Sequence, residues 1–146
     1  MRHVYLIGFM GAGKSTVGRL ISRELGMPFV DLDELIESTD GHRVAEIFSD
    51  RGEDAFRMLE SAALEATARG VASVVACGGG VVLRDENRLK MKASGHVIYL
   101  QVSAEEAVAR VGDTTTRPLL SGASGTLVAT SLLAARETLY RALSDV

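Results

Sequence analysis

Apolar residues fall into two kinds of pattern along this chain. Short, β-branched, nearly unbroken runs occur at "HVYLI", "PFVDL", "SVVAC" and "HVIYLQV", each bounded by Gly, Pro or polar residues. They predict strands, and their near-continuous apolarity suits strands covered on both faces. Longer segments with helical spacing lie between them. In Lys14 to Leu25, the side chains of Val17, Leu20, Ile21 and Leu25 share one face. Arg43 to Ser49 and Asp54 to Arg69 predict further helices, and a weaker one follows Leu83. Another starts at "SAEEAVARV", where Ser103 and Glu106 have capping-box spacing. A last helix is predicted from about Thr126 to Leu143. The repeated β-α alternation predicts an α/β fold, a three-layer sandwich with a central parallel sheet. Residues 112–125, "GDTTTRPLLSGASG", break the pattern, and their Gly, Thr and Ser content predicts a mobile surface loop.

The 146 residues fit a single domain, 1–146. Apolar residues make up 47% and charged residues 24%, the balance of a globular chain and not of a disordered one. No run approaches the roughly 18 apolar residues that would span a bilayer, and the N-terminus shows no secretory h-region. Cys77 is alone, which excludes an internal disulfide framework. Together these features predict a cytoplasmic protein. A net charge of −3 argues against nucleic acid as partner. An anionic small ligand stays open, because a few focused cations and backbone N–H groups outweigh a mild net charge locally.

Candidate chemistry begins at "LIGFMGAGKSTVG". Gly8 to Ser15 satisfies G-x-x-x-x-G-K-[ST], with a predicted strand before it and an amphipathic helix after it. Small residues at Gly11, Ala12 and Gly13 let backbone N–H groups converge on phosphate oxygens, and the helix opening at Lys14, Ser15 and Thr16 adds its positive end. Lys14 would reach the outer phosphates and the Ser15 hydroxyl would ligate Mg²⁺. This predicts a nucleoside triphosphate site.

Possible acceptor-side groups follow. Asp31 and Asp33 end the second predicted strand, and strand alternation points both the same way. They could serve Mg²⁺ and an acceptor hydroxyl, or form an acidic pair at a helix N-terminus. Glu53, Arg57 and Glu60 share a helix face, and taken alone they read as a solvated ion-pair ladder. Phe48 and Phe56 read first as core. Gly78, Gly79 and Gly80 directly follow a buried strand and predict backbone approaching something closely. Arg117 lies in the predicted loop, where it could close over a transferring phosphoryl group, and Arg136 lies four residues before Tyr140.

In combination, "GFMGAGKSTVG", "FVDLD", "AEIF" with "RGEDAFRMLE", "GGGVV", "VIYLQV", "RPLL" and "RETLY" resemble the shikimate kinase family in order and spacing from about residue 4 to 140. The resemblance implies a P-loop NTPase architecture of the nucleoside monophosphate kinase type. It implies transfer of the γ-phosphoryl of MgATP to the 3-hydroxyl of shikimate, with Lys14, Asp33 and Arg117 as catalytic residues. Arg57 and Arg136 match the arginines that grip the carboxylate, and Asp33 the aspartate at the ring hydroxyls. Gly78, Gly79 and Gly80 match the backbone around the ring, with Phe48 and Phe56 packed beside it. Asp31 matches a carboxylate near Mg²⁺, Glu60 a partner for the arginines, Arg110 a guanidinium on adenine and Arg117 a lid arginine. The family normally continues with one more strand and helix, whereas this sequence stops at Val146. That predicts an exposed sheet edge through which an otherwise monomeric protein could associate, and weaker ATP binding. The competing readings are a related kinase acting on gluconate and a catalytically silent module binding shikimate or ATP.

Overall fold

The computed structural model describes residues 2–9, 12–102 and 125–146. Gly11, Arg110, Arg117, the Ser103–Glu106 helix start and all of the predicted lid but Gly125 lie outside them. Four parallel strands form the sheet: β1 (His3–Ile7), β2 (Phe29–Asp31), β3 (Val74–Ala76) and β4 (Gly95–Tyr99). They stand in the order β2-β3-β1-β4. Helices α1 (Lys14–Leu25), α2 (Leu32–Asp40), α3 (Val44–Arg69), α4 (Asp85–Ser94) and α5 (Gly125–Leu143) connect and cover them.

Alternation along β1 divides the core. Tyr5 and Ile7 enter a cluster with Leu64, Met91, Tyr140 and Leu143, while Leu6 faces Met27, Val17 and Ile21 on the other side. Both faces of the strand are thus buried, which is why its sequence lacks polar alternation. A smaller cluster of Ile36, Val44, Ile47 and Phe56 lies between α2 and α3.

Two expectations change, and a third is met with a kink. The second strand does not run on to Asp33. It stops at Asp31, whose carboxylate accepts from the amides of Asp33 (3.0 Å) and Glu34 (3.3 Å) and so caps α2, a helix the hydrophobic pattern did not predict. The predicted helices on either side of Gly52 are found: α3 runs through both, but Gly52, at φ 86° and ψ 173°, is not helical and a kink there separates them. The sheet edge at β4 is not bare. The Asp145 amide donates to Val97 O (2.7 Å) and the Tyr99 amide to Val146 O (3.0 Å). The Asp145 carboxylate accepts from the Val97 amide (2.8 Å) and pairs with Lys92 (2.7 Å).

His3 is structural. Its Nδ1 accepts from the Ser73 amide (3.1 Å) and its Nε2 lies 3.2 Å from Ala68 O, tying the start of β1 to the end of α3 and the approach to β3. Among the described residues no helix is long and apolar enough to cross a membrane.

Candidate active site

The phosphate loop leaves β1 through Gly8, at φ 146°. A Cβ there would collide with the Leu100 carbonyl, so both the torsion and the close approach require glycine. Gly13, also left-handed, turns the chain into α1. Lys14 reaches back over the loop, its Nζ donating to the carbonyls of Gly8 (2.6 Å) and Phe9 (3.0 Å). Ser15 Oγ donates to Asp31 Oδ2 at 2.8 Å. Asp31 therefore serves two elements, one oxygen capping α2 and the other facing the start of α1. Ser15 and Asp31 present hard oxygen donors side by side, a set that fits Mg²⁺, which takes few protein ligands and keeps several waters. Thr16 is exposed on the first turn of α1, and Ala12 is nearly buried.

The second group of predicted residues gathers from four segments. Arg57 and Glu60 are not a solvated ladder: their relative exposures are 7% and 0%. Arg57 Nη1 donates to Glu60 Oε1 (2.9 Å), while Nη2 and Nε reach Glu53 Oε2 at 3.2 and 3.3 Å. The bend at Gly52 sets the direction of this part of α3, and packing of Phe56 into the small cluster turns Arg57 inward. The Arg57 guanidinium also lies 5.2 Å from the Phe56 ring centroid, and Phe48 packs 4.8 Å from the same ring.

The glycine run explains itself in this setting. A Cβ on Gly80 would lie too close to three atoms of the Arg57 guanidinium to fit. One on Gly78 would come within 2.8 Å of Glu60 Oε2 and 3.3 Å of Asp33 Oδ1. Side chains are absent because charged groups occupy their space. Arg136, on α5, is 3% exposed, and its Nη1 has no hydrogen-bond partner among the described residues. Glu60 Oε2 is in the same condition. Burial pushes the Glu60 carboxyl above its usual range against the pull of Arg57; the Asp33 charge raises it further and Arg136 lowers it.

A buried guanidinium nitrogen without a partner is costly. Such a group is suited to an anion, and a guanidinium fork fits a carboxylate. The structure brings Lys14, Ser15 and Asp31 together on one side, and Arg57, Glu60, Gly78 and Gly80 together on the other. Asp33, in the first turn of α2, is next to Asp31 in the chain's path and next to Gly78 in space. Sequence reasoning missed the Tyr140 hydroxyl, which donates to Gly79 O at 2.5 Å. The R-x-x-x-Y spacing placed it on the face of Arg136, and that was the available signal.

Residues 10–146 match the family model described as Shikimate kinase. A shikimate kinase of Pseudomonas savastanoi pv. phaseolicola is 44% identical over 146 residues, all of this chain and 85% of the relative. The chain belongs to the shikimate kinase family. Among solved structures, shikimate kinase from Acinetobacter baumannii in complex with shikimate superposes with a TM-score of 0.96 at 36% identity, over 99% of this chain and 81% of that one. A gluconokinase from Sinorhizobium meliloti is 21% identical with a TM-score of 0.50, covering 97% of each chain, a likeness of fold alone. Family membership therefore favours shikimate over the gluconate reading.

Proposed function

We propose that this chain carries out ATP-dependent phosphorylation of shikimate, moving the γ-phosphoryl group to the 3-hydroxyl of the acceptor. One observation carries the acceptor side: two buried arginines, one with a nitrogen unpartnered among the described residues, beside a glycine turn with no side chains of its own. Arg57 and Arg136 hold the acceptor carboxylate. Asp33 takes the hydroxyl that is phosphorylated, orienting it and accepting its proton as the new O–P bond forms. Gly79 and Gly80 line the ring. On the donor side, Lys14 leaves the loop carbonyls for the phosphate oxygens. Ser15 and Asp31 would hold Mg²⁺, which supplies charge neutralisation on the phosphates when bound. The protein's share is positioning and electrostatics. The whole chain works as one domain, in the cytoplasm, where ATP is supplied.

The test is ADP release from MgATP with shikimate, with gluconate and with no acceptor, using Lys14→Ala as the blank. Shikimate-dependent ADP that the blank loses is the expected result. ADP release that shikimate does not increase, or that gluconate increases instead, would overturn the assignment.

A further inference from the structure

We propose that Tyr140 is a positioning residue for the carboxylate end of this site, acting through its hydrogen bond to the glycine turn; the proposal rests on the shikimate reading above. Tyr140 is fully buried, and its ring stacks on Tyr99 with centroids 5.1 Å apart. Its hydroxyl donates to Gly79 O across 61 residues of sequence.

The three carbonyls of the glycine run are engaged in two different ways. Gly78 O accepts from the Val81 amide and Gly80 O from the Leu83 amide, each at 3.1 Å, so both are held within the turn itself. Gly79 O is instead met by Tyr140. The next residue, Gly80, is the one pressed against the Arg57 guanidinium. Four positions before Tyr140, on the same face of α5, stands Arg136. One O–H group thus ties the helix that carries Arg136 to the turn that packs against the Arg57 guanidinium. Burial raises the Tyr140 hydroxyl to about 12, against the nearby positive charge of Arg136. It therefore stays protonated and remains a donor through neutral pH.

Tyr140→Phe keeps the ring and its stack while leaving the Gly79 carbonyl without its donor and removing the hydroxyl's own interaction with Arg136. Steady-state ADP release with shikimate and ATP varied separately, calorimetric titration of shikimate alone, and thermal melting would be compared for wild type, Tyr140→Phe and Tyr99→Phe. The expected result for Tyr140→Phe is a rise of about five- to tenfold in KM and Kd for shikimate, with KM for ATP unchanged. Replacing the carboxylate of shikimate by a carboxamide should penalise Tyr140→Phe less than wild type, because the arginine pair is already out of place. Tyr99→Phe should retain the wild-type KM for shikimate. A shikimate KM within about twofold of wild type in Tyr140→Phe overturns the proposal. So does a parallel rise in both KM values with a lowered melting temperature, the mark of a purely structural tyrosine. Wild-type protein that neither binds nor phosphorylates shikimate overturns the functional reading itself, a result distinct from either.

Discussion

The two halves of the site are built on opposite plans. The phosphate side is a continuous stretch from Gly8 to Ser15, joined by one outside carboxylate, Asp31. Its lysine is held by the loop's own carbonyls at Gly8 and Phe9. The acceptor side draws on α2, α3, the turn after β3 and α5, and it buries charge that is incompletely matched among the described residues. The first half is a backbone cradle with exchangeable internal bonds. The second is a set of charged side chains held in place by buried contacts.

Variants on the two halves should separate cleanly. Lys14→Ala should lower turnover by roughly 10³-fold or more while calorimetric affinity for shikimate is retained. Arg57→Ala should instead weaken shikimate binding by about 10²-fold or more with little change in KM for ATP, and Arg57→Lys should rescue little of it. If Lys14→Ala loses shikimate affinity as severely as Arg57→Ala, the division between the halves is wrong. Gly80→Ala sharpens the contrast, because its methyl acts only by displacing the guanidinium. A rise of about tenfold in shikimate KM, with ATP KM steady, is the expected outcome. Unaltered kinetics would mean that Arg57 moves aside at no cost.

The smallest effect concerns Glu60. Its folded-state carboxyl is raised above the ordinary value of 4.5, so the native state holds this proton more tightly than the unfolded chain does. The resulting stabilisation is complete below that ordinary value and is lost as pH rises through the raised one. Glu60→Gln keeps an acceptor for Arg57 without a proton to lose. Its melting temperature, relative to wild type, should climb by a few degrees between acid and neutral pH. A difference that does not change with pH would refute the linkage.

Much of this was legible in the sequence because it is local. The phosphate loop, β1, α1 and the last helix depend on contiguous patterns, and the described parts of each were found where the patterns put them. Asp31 was harder, since strand alternation and helix capping both use an aspartate after apolar residues. Capping prevailed because two amides converge on its carboxylate. The Glu53–Arg57–Glu60 spacing is the same for a surface ladder and a buried clamp. What decides is Phe56 entering the small core and Gly80 leaving room, and neither fact is local. The Tyr140 bond links positions 61 residues apart, beyond the reach of any periodicity.

The place of β1 in the middle of the sheet has a consequence for the growing chain on the ribosome. Its neighbours are β3 and β4, so this first strand has no partner until Val74–Ala76 has been made and is not enclosed until Gly95–Tyr99 follows. His3, likewise, finds its bonds only at Ala68 and Ser73. The nucleotide loop is synthesised before the acceptor-side residues, yet the strand that aims it gains both neighbours only once Gly95–Tyr99 has been made.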